Sequence, residues 1–136
     1  METDEILSAV ATIGRGHFHT ELQARTHSLI GDEPIEVGGK DEGPRPGDFV
    51  RMGLASCTAI TLRMYADRKQ WNVERIRVEV SNGPFNKGTS YHTKIEIDGS
   101  LSAEQKERML QIARLCPVHK ILTNPIEIQT QITVTP

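Results

Sequence analysis

The sequence predicts a single α+β domain over residues 1–136, with short antiparallel strands, one long buried helix and a shorter helical pair. Three observations carry that prediction. Short alternating apolar segments occupy both ends of the chain. A continuous apolar stretch from Asp48 to Lys69 has helical length and a helical start. A capped amphipathic helix follows from Ser102, and Cys116-Pro117 breaks it into a second, shorter one.

The bulk numbers suit a globular chain. With 136 residues there is room for one good core. Hydrophobic residues make up 37% and charged residues 25%, and the net charge is −2. Such a balance offers no field for nucleic acid or anionic lipid, and 4% aromatics argues against a base-stacking surface. No uncharged apolar run approaches the ~20 residues of a membrane span. The acidic opening METDEILS does not resemble a secretory leader, so a cytoplasmic location is expected. No nucleic acid and no membrane is expected among the partners.

Ala9–Ile13 is apolar and partly β-branched, and Gly14-Arg15-Gly16 signals a turn. Residues 17–24 (HFHTELQA) alternate roughly, with Phe18 and Leu22 on one side. His17 and His19 lie two apart and are expected on one solvated strand face. Residues 26–30 complete a small antiparallel sheet. Residues 38–47 (GGKDEGPRPG) hold four glycines and two prolines and form a loop.

The long helix starts at Pro46-Gly47-Asp48, with Asp48 as cap or first-turn acid. Its apolar residues fall on nearly every face, so it is expected to be wrapped by sheet or by a partner chain. Arg63, Arg68 and Lys69 suit the negative end of its dipole. Residues 72–81 alternate with one slip between Val73 and Ile76, which reads as a strand. Residues 82–90 form the turn of a hairpin whose second arm is 91–97, closed by Asp98-Gly99. Ser102 and Gln105 make a capping-box start. A final strand is expected over 126–134 (IEIQTQITV).

Chemistry centres on Cys57 and Cys116, the two cysteines of the chain. Two thiols cannot build a tetrahedral structural zinc site. In a reducing compartment a transient disulfide is more plausible than a permanent one. Cys116 precedes Pro117 and so sits at a joint between helices, where free N–H groups and the helix dipole favour a thiolate. Cys57 has no such local help and needs an arginine from elsewhere. As plain alternatives, either cysteine could be a small buried hydrophobe. Cys116-x-x-His119 has a metal-ligand spacing, for which Cys57, His17, His19, His27 or His92 could supply partners, yet nothing clusters with them. Phe49, Met52, Met64 and Phe85 are core residues or the lining of an apolar pocket.

The stretch Gly38-Gly39, Gly43-Pro44-Arg45-Pro46 and residues 53–66 (GLASCTAITLRMYA) resembles the central segment of the OsmC/Ohr family, closest to its OsmC-like branch. The segment Leu115-Cys116-Pro117-Val118-His119-Lys120 resembles the family's second signature, a Cys-Pro motif after an amphipathic helix. The order of elements agrees from about residue 10 to 135. The resemblance implies an OsmC-like fold, with curved antiparallel sheets around a long central helix and two chains intertwined as a homodimer. It implies a cysteine-based peroxidase that reduces organic hydroperoxides and is regenerated by an external dithiol, without a cofactor. Cys57 would be the peroxidatic cysteine and Cys116 the resolving one. The family places an arginine and a glutamate beside the peroxidatic thiolate. Asp48 is read as matching the glutamate, which follows the proline opening the helix, and it could equally be a simple cap. Arg15 and Arg25 are both candidates for the arginine. Two other readings keep the fold: a non-catalytic redox-sensing stress protein, and a dimer that binds small apolar molecules.

Overall fold

The computed structural model describes residues 6–83 and 90–136. Contacts divide the chain into two compact units, Met1–Val50 and Arg51–Pro136.

The first unit is a three-stranded antiparallel sheet, β1 (Val10–Ile13), β2 (Thr20–Ala24) and β3 (His27–Gly31), in the order β1-β2-β3. Leu22 pairs with Ala11 on one side and with Leu29 on the other. Among its described residues the buried ones are Gly31 and the charged Asp32. The Asp32 carboxylate accepts backbone N–H groups from Phe18 (3.1 Å), Glu33 (2.7 Å), Lys40 (3.3 Å) and Glu42 (3.1 Å). One side chain therefore ties the entry to β2 to the glycine-rich loop. That loop lies so close to β3 that a Cβ at Gly43 would collide with the Ile30 carbonyl. His17 and His19 precede β2 instead of forming part of it. His17 stacks on Phe18, and His19 lies 3.5 Å from Glu42. The polar partners of the bend compete with strand pairing there.

Helix α1 (Pro46–Lys69) starts at Pro46, whose missing N–H costs nothing in a first turn. In the second unit, α1 is followed by the hairpin β4 (Asn72–Asn82) and β5 (Tyr91–Ser100), then α2 (Ala103–Ala113) and α3 (Pro117–Thr123). The slip in alternation near Val73 is a register shift between Val73 and Arg75, an extra residue that bends the strand. After it the faces separate cleanly. Ile76 opposes Ile97 and Val78 opposes Ile95, while Arg75 opposes Asp98 and Glu79 opposes Lys94. The strand β5 continues through Asp98 and Gly99 to Ser100, because both residues still pair with β4. The expected hairpin turn, with Phe85, lies largely outside the described residues.

The core of the second unit is Leu62, Ala66, Val73, Met109, Ile112 and Ala113. Ser102 caps α2 as expected, taking the Gln105 N–H while the Gln105 side chain accepts the Ser102 N–H.

The expectation for α1 is narrowed to what one chain covers, and that for residues 126–134 is corrected. Burial of α1 is confined to one stripe, Leu54, Thr58, Leu62 and Ala66, spaced four apart. Met52, Ile60 and Met64 are 46%, 56% and 58% exposed, because a single chain covers only one face of the helix. Residues 126–134 form no strand, since alternation creates a strand only where a neighbouring edge accepts its hydrogen bonds. Ile128, Ile132 and Val134 stand exposed.

Candidate functional site

The second unit brings Cys57 and Cys116 together. Cys57 lies mid-way along α1, one residue before the buried Thr58, and is half-buried. Cys116 ends the connection from α2 and is completely buried. Pro117 forces the residue before it into an extended conformation, and Cys116 accordingly has φ −60° and ψ 135° and caps α3. Its sulfur accepts the His119 N–H at 3.4 Å, a cysteine in the role usually filled by serine or aspartate. The Thr58 hydroxyl donates to the same sulfur at 3.8 Å.

The Cys116 sulfur lies close enough to Cys57 to act on its ionisation. Both are free cysteines. Burial pushes the Cys57 thiol up from its ordinary value, and the adjacent Cys116 sulfur pushes it further. The Val118 N–H and the Thr61 hydroxyl pull it the other way without reversing the balance. The first amides of α3 thus serve both sulfurs, Val118 for Cys57 and His119 for Cys116.

The remaining expected residues sit in the first unit. Arg15 lies between β1 and β2, and Arg25 turns β2 into β3 with a left-handed φ of 55°. Asp48 is the third residue of α1, and Gly47 directly follows Pro46. Its carboxylate accepts the Arg45 N–H at 3.0 Å and so closes the helix start, the returning half of a capping box. Among the described residues no cluster of three or more His, Cys, Asp or Glu could hold a metal ion.

Sequence reasoning missed Thr58 and Thr61. Thr61 follows Cys57 by four residues, a spacing that stacks side chains on a helix and could have signalled it. Thr58 carries no such signal, because its partner is 58 residues away.

The model of the OsmC-like protein family matches residues 39–131, a span that contains both cysteines and their hydroxyl partners. The chain belongs to the OsmC-like family. Solved structures share the fold. An OsmC-like protein from Mycoplasma pneumoniae superposes with a TM-score of 0.71 at 19% identity, over 88% of this chain and 89% of that one. An organic hydroperoxide resistance protein from Elizabethkingia anophelis gives 0.67 at 18% identity, over 93% and 94% of the two chains. An organic hydroperoxide resistance protein from Legionella pneumophila gives 0.63 at 20%, over 90% and 92%. No curated protein matches the sequence. Among the described residues no helix is long and apolar enough to cross a membrane.

Proposed function

We propose that this OsmC-like protein is a thiol-dependent peroxidase that reduces organic hydroperoxides through Cys57 and Cys116. The observation that carries the reading is that the two cysteines share one neighbourhood: Thr58, adjacent to the half-buried Cys57, donates to the sealed Cys116 sulfur, which in turn acts on the Cys57 thiol. Hydroperoxide resistance proteins among the structures of like fold support the substrate class.

The Cys57 thiolate attacks the outer oxygen of the hydroperoxide. The O–O bond breaks, the alcohol leaves with a proton, and Cys57 becomes a sulfenic acid. The Cys116 thiolate then attacks the Cys57 sulfur and displaces hydroxide, which leaves as water. An external dithiol reduces the disulfide by exchange and is itself oxidised. Because the balance at Cys57 is upward, an efficient first step needs a cation brought to the thiolate. Arg15 and Arg25 are the candidates, with Asp48 as the carboxylate that orients one of them. We take residues 1–136 to act as one domain, since the family match runs across the junction between the two units.

The test is to mix reduced protein with cumene hydroperoxide and count thiols. Both are expected to disappear stoichiometrically and to return with dithiothreitol, and Cys57→Ser is expected to abolish the loss. Thiols that persist at millimolar hydroperoxide would overturn the reading. The upward balance at Cys57 favours one second reading, a redox sensor that oxidises slowly. Oxidation without sustained turnover on dithiothreitol would select it.

The chain is further read as a homodimer. The uncovered face of α1 and the unpaired alternating segment 126–134 both ask for a covering surface. A second copy supplies apolar faces and open strand edges of matching kind. Sedimentation at twice the chain mass is expected, and a monomer at micromolar concentration would refute it.

A further inference from the structure

We propose that Thr58 is a positioning residue for the resolving step: its hydroxyl holds the Cys116 sulfur and stabilises it as the attacking thiolate. The inference rests on the peroxidase reading above for its meaning in turnover. Its physical core, a hydroxyl acting on a buried sulfur, stands separately.

Thr58 is 2% exposed and is the one buried polar side chain of the second unit among the described residues. A buried hydroxyl costs free energy unless it is bonded. In a helix, such a hydroxyl commonly returns to the carbonyl four residues back. Here it reaches across to Cys116, at 3.8 Å, from the residue adjacent to Cys57. A valine would fill the same volume in the α1 stripe, so packing alone does not call for a hydroxyl.

Geometry gives that hydroxyl a task. Cys116 is sealed from water, so its thiolate has no solvent to stabilise it. Two protein donors replace the solvent: the His119 N–H along the α3 axis and the Thr58 hydroxyl from α1. The amide is fixed by the backbone of α3. The hydroxyl is fixed by the same helix that carries Cys57, so attacker and target are referenced to one rigid element. In the step itself the Cys116 sulfur forms a bond to the Cys57 sulfur, and the S–O bond of the sulfenic acid breaks. The hydroxide takes up the proton that Cys116 released, and water leaves. Thr58 donates to the sulfur before attack and exchanges no proton in the net reaction. A competing second hydroperoxide would carry the waiting sulfenic acid to sulfinic acid. The faster Cys116 attacks, the less of that loss occurs.

The test compares wild type, Thr58→Val and Thr58→Ser. In single turnover with cumene hydroperoxide, disulfide closure is expected to slow about tenfold more than sulfenate formation in Thr58→Val, the lower end for one hydrogen bond to a charged group. Mass spectrometry should find sulfinate at about tenfold lower hydroperoxide, and Thr58→Ser should restore both. In a Cys57→Ser background, the S–H infrared band of Cys116 should change frequency with Thr58→Val and return with Thr58→Ser, the mark of a hydrogen bond lost and regained, which needs no peroxide chemistry. An unchanged band overturns the inference, as does closure at the wild-type rate. A changed band in a protein that ignores hydroperoxide keeps the hydroxyl–sulfur link and removes the peroxidase reading instead.

Discussion

The two units are held together by opposite means. Residues 51–136 bury apolar side chains, with Leu62 and Ala66 fully enclosed and Met109 2% exposed. Among the described residues of 1–50 no apolar side chain is buried, and the one enclosed side chain is the carboxylate of Asp32. Ile6, Leu7 and Val10 are left open to solvent in that unit. The contrast teaches that the site-bearing unit gets its rigidity from packing. The sheet unit gets its shape from one directional hub of hydrogen bonds. Both cysteines lie in the packed unit. A unit shaped by polar bonds, with its apolar residues unsatisfied, is suited to be covered by a partner.

The largest effect should come from the core. Leu62 sits at the centre of the buried stripe and also lines a cavity of about 400 Å³ with Ile95, Ile97, Leu101 and Met109. Leu62→Ala removes three buried carbons beside that space, and the expected loss is about 2–5 kcal/mol. Trp71, the only tryptophan, packs edge-on against Tyr65 at 5.4 Å and reports this unit in a denaturant titration. If Leu62→Ala moves the Trp71 transition by no more than a surface substitution does, the contrast between a packed and a hydrogen-bonded unit is wrong.

The legibility of the sequence follows the same division. Local rules found what local rules control: the Ser102 capping box, the bulge after Val73, and the Pro117 joint that makes Cys116 a helix cap. The family motif singled out Cys57 and Cys116 together, and their nearness in space was left to tertiary structure. Asp32 was invisible because a Gly-Asp-Glu-Pro run reads as an ordinary turn, while its partners lie up to 14 residues away. Thr58 was invisible because one threonine in an apolar helix reads as filler. How α1 is covered was left open, because apolar residues on all sides do not say which of them one chain can cover. Residues 126–134 alternate correctly, yet pairing depends on an edge that the pattern does not supply.

The smaller effect is local and depends on acid. Burial raises the Asp32 carboxyl, but the N–H groups of Glu33, Glu42, Phe18 and Lys40 outweigh it and hold its pKa below the ordinary 3.8. A carboxyl depressed in the folded state adds stability above its unfolded value, and that stability is lost as pH falls through the folded one. The window therefore lies on the acid side of 3.8. In that window the amide resonances of Phe18, Glu33, Lys40 and Glu42 should move together, while the Trp71 fluorescence of the packed unit holds. Asp32→Asn should bring on part of the same change at neutral pH, because a carboxamide presents one oxygen where the carboxylate presents two. If the Asp32 amide set and Trp71 instead respond at one common pH, the two units melt as one body, and the carboxylate hub is an accessory to the core.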